Sequence, residues 1–176
     1  MAGINEPTIT FIVHLCKLCN FAKTMYNSKT IQEMKDNVLF PEFNKSMDFK
    51  NLTAAQIKEA KEETISHIEE IIKEITKEQS SRTYNNTLRR FDDLINELER
   101  VHASVFLMAY VHPEAGIREE ALSSIKELSR LENRIKMDVN LYRAIKNYSQ
   151  TKEVANLGEP AKKFLDDTIR DFEQNE

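Results

Sequence analysis

Two cysteines near the start of the chain have the spacing of a metal or redox motif. Cys16 and Cys19 are separated by two residues, and His14 precedes them. A structural zinc ion takes four ligands, and the sequence offers no second CxxC or histidine pair to complete such a set. A redox motif of this spacing belongs to a βαβ unit, and no strand pattern precedes Cys16. We therefore expect two small apolar residues on one helix face, while a small metalloprotein that uses Cys16, Cys19 and His14 stays open as an alternative.

Three further histidines are candidates for zinc ligands: His67, His102 and His112. A zinc peptidase of the HExxH type needs two imidazoles one helical turn apart, with the general-base glutamate beside the first. Neither the residues after His67 nor those after His102 fit that motif. We expect His67 to be exposed, His102 to lie at the edge of the core with a hydrogen-bond partner, and His112 to be a cap or turn residue.

Carboxylates occur as three adjacent pairs, but their spacing does not suit a shared site. Neighbouring residues of a helix point about 100° apart, whereas carboxylates at i and i+4 could act together. A di-iron bundle needs ExxH on two helices, and Glu99-Arg100-Val101-His102 is a single match for which a packing role is favoured. From the residues alone we expect no catalytic, cofactor-binding or metal-binding residue. The adjacent pairs are Asp92-Asp93, Glu119-Glu120 and Asp166-Asp167.

The composition of the 176 residues excludes several classes of protein. With 25 Lys+Arg against 29 Asp+Glu the net charge is −4, so we expect no nucleic-acid partner. Hydrophobic residues make up 40% of the chain, which is enough for a folded core. Only 3 Gly and 4 Pro occur, too few for the many turns of an all-β fold or for a glycine-rich phosphate loop. The composition therefore predicts an all-α fold.

The cellular location is predicted from the apolar segments and the cysteines of the chain. The longest nearly apolar run, 9–22, is interrupted by His14, Lys17 and Asn20, and a membrane span needs roughly 20 apolar residues. The start of the chain also lacks the basic region of a secretory signal. Two cysteines fit a reducing compartment. We expect a cytoplasmic protein with no membrane partner.

Apolar spacing predicts an antiparallel bundle of three long helices and a shorter fourth, preceded by an extended strap. The first helix begins at the capping box of Thr53 and Gln56 and runs to about Glu78. The others are predicted from about Tyr84 to Val111, from Pro113 or Glu114 through Ile145, and from about Glu159 to Phe172. In the second helix the predicted inner face includes Phe91, Leu94, Val101, Val105 and Phe106.

Six stretches of the chain together form a pattern that a known family shares in the same order and with the same spacing. They are Asp36-Asn37-Val38-Leu39, Phe49-Lys50-Asn51-Leu52-Thr53 with Ile57, Thr83-Tyr84-Asn85-Asn86-Thr87 with Phe91-Asp92, Val111-His112-Pro113-Glu114 with Arg118-Glu119, Asp138 with Leu141-Tyr142-Arg143-Ala144-Ile145, and Phe164-Leu165 with Arg170-Asp171-Phe172. On these stretches the chain from Asn37 onward resembles the N-terminal helical region of the thimet oligopeptidase/neurolysin family of zinc metallopeptidases, which includes oligopeptidase A and peptidyl-dipeptidase relatives. The resemblance covers about four-fifths of the chain, and Val38 stands where the family has proline.

The resemblance implies two parts, an unmatched extension over 1–36 with a helical stripe at its cysteines, and a helical domain over 37–176. Family members hydrolyse short peptides with one zinc ion held by HExxH and a downstream glutamate, in a channel of which the N-terminal helices form a wall. This chain has no HExxH, so no catalytic or zinc-binding residue carries over and no activity is expected from it alone. It is either an N-terminal piece of a longer peptidase or a free-standing relic.

The resemblance also implies where the chain meets its partner. The partner is the missing catalytic portion of the peptidase or, in the alternative, a protein bound by a free-standing helical interaction module. We expect the exposed apolar surface at the two ends of the matched region: Leu39, Phe40 and Phe43 of the strap, and Phe164, Ile169 and Phe172 of the last helix. The other possibility is that these side chains fold inward and the bundle closes its own core.

Overall fold

The first helix, α1, spans Ala54–Thr76 and begins where the capping box was predicted. Thr53 Oγ1 accepts a hydrogen bond from the Gln56 N–H at 3.2 Å, and Gln56 Oε1 accepts one from the Thr53 N–H at 3.0 Å. Two otherwise unpaired donors are thereby satisfied, which fixes the first turn. The computed structural model describes residues 38–39 and 48–175.

The second helix, α2, spans Arg89–Val111 and is preceded by a π-helical turn at Tyr84–Leu88. Thr83 starts this turn with a second capping box, in which its hydroxyl accepts from the Asn86 N–H and the Asn86 side chain accepts from the Thr83 N–H. The helix ends at Val111, because the next residue has extended backbone and Pro113 follows. Both predicted ends of the second helix are confirmed.

The third predicted helix is divided in two. Helix α3 spans Ala115–Lys136 and α4 spans Val139–Ser149, so the predicted continuation through Ile145 was wrong. The cause is Asp138, whose carboxylate accepts hydrogen bonds from the backbone N–H groups of Asn140 at 2.8 Å and Leu141 at 3.1 Å. An aspartate in this position starts a new helix, and the chain turns there.

The last predicted helix is confirmed as α5, which spans Glu159–Gln174 after a short 3-10 turn at Lys152–Asn156. Gly158 precedes its first residue, and Pro160 occupies the first turn, where no backbone donor is needed. With five α-helices and no strand in the part of the chain that the structure describes, the predicted all-α fold is confirmed.

Charged side chains show how the three long helices run. His67 of α1 contacts Glu97 of α2, and Glu74 of α1 contacts Arg90 of α2. The contact that lies later in α1 therefore lies earlier in α2. These two helices are therefore antiparallel. Helices α1 and α3 run in the same direction, since the Lys61–Glu127 pair at 2.9 Å is followed along both helices by the Glu69–Arg134 pair at 3.0 Å.

Helix α5 places its aromatic side chains against the N-terminal part of α2. The ring of Phe91 lies 5.9 Å from that of Phe172 and 6.5 Å from that of Phe164, measured between centroids. The hydroxyl of Tyr142 on α4 donates to Glu173 at 3.0 Å, which joins α4 to the end of α5. Aromatic contacts of this kind stabilise a fold by more than the buried area alone would. Through these contacts α5 is part of the core.

The predicted exposure at the two ends of the matched region was wrong for the four residues that the structure describes. Leu39 and Phe172 are buried, and Phe164 and Ile169 are partly buried against the core. The inward arrangement arises because the spacing of the α5 residues gives one apolar face, and that face meets Phe91. Phe40 and Phe43 lie outside the described residues, as do His14, Cys16, Cys19 and the predicted domain boundary between 36 and 37.

Candidate functional site

The C-terminal half of α2 carries an exposed apolar surface. From Val101 to Val111 the chain has eleven residues and no Asp, Glu, Lys or Arg. Four of its exposed residues are large and apolar, and Val111 reaches 60% exposure. We call this surface the apolar face and define it as Phe106, Leu107, Tyr110 and Val111 of α2 with Leu122 of α3, all exposed.

Leu122 belongs to the apolar face because of the register of α2 and α3. The two helices are joined by only three residues, 112–114, and Ser129 Oγ lies 3.5 Å from His102 Nε2. In an antiparallel pair with that register, Tyr110 is level with Ala121 and Phe106 with Ile125. Leu122 is level with the stretch between those two residues of α2.

The two aromatic rings of the apolar face support each other. Phe106 and Tyr110 are one helical turn apart, and their ring centroids lie 4.6 Å apart with planes inclined at 42°. Rings at i and i+4 stabilise a helix surface without being buried. Phe106 was predicted to lie on the inner face and is 39% exposed, so that prediction was wrong. Val105, next to it, fills the core position instead.

A histidine holds the end of the apolar face. The Nδ1 atom of His112 accepts from the Glu114 N–H at 3.2 Å, so its Nε2 carries the hydrogen and donates to the Phe49 carbonyl at 3.1 Å. The Arg118 guanidinium donates to the carbonyls of His112 at 2.7 Å and Pro113 at 2.6 Å. The predicted role of His112 as a cap or turn residue is confirmed, and Phe49 is thereby fixed beside the last turn of α2.

Polar side chains line the contact between the middle of α2 and the C-terminal half of α3. We call this contact the polar seam and define it as Glu99 and His102 of α2 with Ser129, Glu132 and Lys136 of α3. His102 is half-buried and has Ser129 as its neighbour, as predicted. Lys136 Nζ donates to Glu132 Oε1 at 2.7 Å. Within the described residues, Glu99 Oε1 is buried and has no hydrogen-bond partner.

Burial shifts the pKa of three groups in the polar seam or beside it on α2. It raises the pKa of Glu99 to about 7, with the charges of Glu132 and Asp92 adding to the effect and Lys136 opposing it. It raises the pKa of Asp92 to about 6, with a further contribution from adjacent Asp93. The pKa of His102 is lowered, because burial disfavours the imidazolium. Glu99 and Asp92 therefore bind protons more readily than exposed carboxyls do.

The prediction that His67 is exposed was wrong. Its side chain is 15% exposed, and its Nδ1 lies 2.8 Å from Oε2 of Glu97, whose side chain is 2% exposed. His67 follows Thr64 by three residues and precedes Ile71 by four, so it lies at the edge of the buried stripe of α1. Charged neighbours in the sequence hide this spacing, and the partner carboxylate comes 30 residues later.

Buried Lys61 and Glu97 were missed by sequence reasoning. Each occupies a position of the core stripe, Lys61 four residues after Ile57 and Glu97 three residues after Leu94. That spacing is the signal that could have found them. Lys61 forms an ion pair with Glu127 on α3, and Glu97 on α2 contacts His67 of α1. Each contact joins α1 to a neighbouring helix.

The structure does not join the adjacent acid pairs into a site. Asp167 is held by Lys163 at 3.0 Å and Arg170 at 2.5 Å on its own helix, and Glu119 is exposed on α3. Across residues 38–39 and 48–175, no group of three or more His, Cys, Asp and Glu side chains could hold a metal ion.

Among the helices that the structure describes, none has the length and hydropathy required to cross a membrane. No family model matches the chain, and no curated protein matches it.

Proposed function

We propose that this chain is the non-catalytic N-terminal helical part of a cytoplasmic oligopeptidase-like zinc metallopeptidase, where it forms a wall of the channel that binds short peptides. The partner is the catalytic portion of that peptidase, which packs against the apolar face. The single observation that carries this proposal is the apolar face itself. Contiguous exposed apolar surface larger than a few hundred Å² is uncommon on a soluble monomer and typically marks an interface.

The composition of the apolar face favours a large, permanent contact. It contains two aromatic rings and three aliphatic side chains, and the α2 stretch that supplies four of the five has no formal charge. Obligate interfaces resemble a cut hydrophobic core and are depleted of charged residues at their centre. A transient partner would instead be expected to meet a more polar surface.

The stretches that resemble the peptidase family support the proposal because they form the joints of the bundle. Thr83 and Asn86 make the capping box before α2, Asp138 separates α3 from α4, and His112 with Arg118 holds the turn after α2. Residues that fix the connections between helices determine how the helices are placed relative to one another. Matching residues at these connections are therefore consistent with a helix arrangement like that of the peptidase family.

The zinc ion of the parent family belongs to the catalytic portion in this proposal. Zinc hydrolysis requires a Lewis acid and a positioned carboxylate base, and the residues of this chain do not fit that requirement. The sequence contains no HExxH, and the described residues offer no three-ligand group. The role assigned to this chain is to pack, to shape the channel and to exclude water.

The proposal is tested first by the DNA that follows codon 176 and by the adjacent reading frames. A frame that encodes HExxH supplies the partner, and we expect that polypeptide to bind this chain in sedimentation experiments and to gain chelator-sensitive cleavage of a fluorescent peptide. The absence of any such frame contradicts the proposal.

Matched variants locate the contact. Val111→Lys places a charge in the apolar face, and we expect it to weaken binding of the HExxH-containing polypeptide at least about tenfold, since a buried unpaired charge is costly. Met137→Lys is the control, because Met137 is 69% exposed and lies at the other end of α3. Equal binding by both variants would show that the apolar face is not the contact.

A free-standing helical interaction module is the alternative function. The inward packing of Leu39 and Phe172 favours it, since these side chains close the core without a partner. A cooperative, concentration-independent melt of a monomer, together with no HExxH frame, would support this alternative. The zinc protein that uses Cys16, Cys19 and His14 stays an open alternative, and equimolar zinc after chelator-free purification would support it.

A further inference from the structure

The polar seam brings carboxyl groups of two helices to the same level. His102 and Ser129 lie opposite each other. Glu99 precedes His102 by three residues and Glu132 follows Ser129 by three, so in an antiparallel pair the two glutamates are level one turn away. Glu132 already accepts from Lys136, whereas Glu99 Oε1 is buried without a hydrogen-bond partner in the described part of the chain.

The charges that face Glu99 come from both helices. On α2 the charge is that of Asp92, two turns before it, and the titratable His102 lies one turn after it. On α3 the charges are those of Glu132 and Lys136, and Ser129 is the uncharged polar neighbour. Two acids and one lysine act on Glu99, and that lysine is bonded to Glu132. An ionised Glu99 is therefore repelled within a partly water-excluded contact, and a protonated Glu99 is not.

We propose that the polar seam is a proton-operated joint: a proton bound by Glu99 keeps α2 and α3 closely packed at the level of Glu132, and its release loosens them there. The inference is independent of the peptidase proposal, because it needs no partner. Its regulatory consequence is a bundle that is tighter in mildly acidic than in mildly alkaline solution.

The direction follows from linkage. The folded-state pKa of Glu99 lies near 7, above its ordinary value of 4.5, so the folded chain holds a proton that the unfolded chain has released. This contribution to stability is complete below the unfolded pKa and is lost as the pH rises through about 7. His102 acts in the opposite direction, because its lowered pKa makes the folded state lose stability as the pH falls below 6.5.

The test compares the full chain with Glu99→Gln, which is neutral at every pH, by urea unfolding from pH 5 to pH 7.5. Since the other groups are common to both proteins, the ratio of their unfolding constants isolates Glu99. We expect that ratio to change about tenfold or more over this range. Glu119→Gln, which alters an exposed carboxylate of α3, is the matched control and is expected to follow the wild-type profile. Parallel profiles of wild type and Glu99→Gln would overturn the proposal.

A second measurement serves if Glu99→Gln does not fold. In wild-type protein labelled with ¹³C at the glutamate carboxyl carbons, one resonance is expected to titrate near neutral pH. Glu132→Gln removes the facing charge, so the same resonance is expected to titrate at lower pH in that variant. A wild-type protein in which every glutamate resonance titrates below pH 5.5 would overturn the proposal.

Discussion

The two halves of α2 are covered in opposite ways. Of the twelve residues from Arg89 to Arg100, seven are charged, and from Val101 to Val111 none is. Yet the aromatic residue of the charged half is the buried one. Phe91 is 6% exposed and packs against α5, whereas Phe106 in the uncharged half is 39% exposed. The comparison teaches that burial along one helix depends on where later helices pack. It does not follow the local hydropathy of the segment.

The largest expected effect on stability is the difference between substitutions at Phe91 and at Phe106. Phe91→Ala removes a ring that packs against Phe164 and Phe172, and we expect it to lower the free energy of unfolding by about 3 kcal/mol, through lost burial and the cavity left behind. Phe106→Ala is expected to cost less than about 1 kcal/mol, because its ring is already partly solvated. Urea unfolding followed by circular dichroism measures both. Equal losses of unfolding free energy would mean that another segment or another molecule covers the C-terminal half of α2 in solution.

A smaller effect is expected at the contact between His67 of α1 and Glu97 in the charged half of α2. His67→Ala leaves the carboxylate of Glu97 buried without this partner, and we expect a loss of about 2 kcal/mol. The control is Arg134→Ala, which breaks the exposed Arg134–Glu69 pair and should cost no more than about 0.5 kcal/mol. The same unfolding experiment compares them. A loss at His67 as small as the control's would show that the charged half of α2 contributes little specific contact.

A pH-dependent effect is expected at Asp92. Its folded pKa of about 6 lies above the ordinary 3.8, so the folded state is penalised as the pH rises through 6 and the carboxylate ionises. At pH 8 we expect Asp92→Asn to be more stable than wild type by about 1 kcal/mol, since some of the gain is offset by loss of a favourable charge in the first turn of α2. At pH 4 the advantage should vanish. Thermal melts at the two pH values test this, and a variant less stable than wild type at pH 8 contradicts it.

The smallest effect on stability is expected in the uncharged half. Val111→Lys exposes its charge to water in the isolated chain, so the free energy of unfolding should change by no more than about 0.5 kcal/mol. Binding of a hydrophobic dye should fall, because the apolar face is interrupted. Dye fluorescence at matched protein concentration is the readout, with Met137→Lys as the comparison. A large loss of stability would show that Val111 packs within the bundle.

Local signals made much of the fold predictable. The capping box at Thr53 and Gln56 and the stop before Pro113 depend on residues within one turn, and the structure has both. The break at Asp138 was missed because Ile135, Val139 and Tyr142 keep helical spacing across it. An aspartate in a continuous apolar pattern can lie on the outer surface or start a new helix, and only the packing of the following segment decides between them.

The functional surfaces were less predictable because they depend on residues far apart in the chain. His67 is half-buried because it contacts Glu97. Phe106 stays exposed because α5 packs at Phe91 and not beside it. The polar seam had one visible component, the ExxH spacing of Glu99 and His102. Its partners on α3 come about 30 residues later in the sequence, where no local pattern marks them.

The π-helical turn before α2 gives the chain a place where its length can change. The Arg89 N–H bonds to the carbonyl of Tyr84, five residues back, where an α-helix would reach four residues back. Deleting one residue between them converts this wide turn into an ordinary one and leaves every later residue of α2 on its present side. The same deletion after Phe91 would rotate the rest of the helix by about 100° and turn the core stripe outward. Length variation among natural versions of this bundle should therefore concentrate at Tyr84–Leu88.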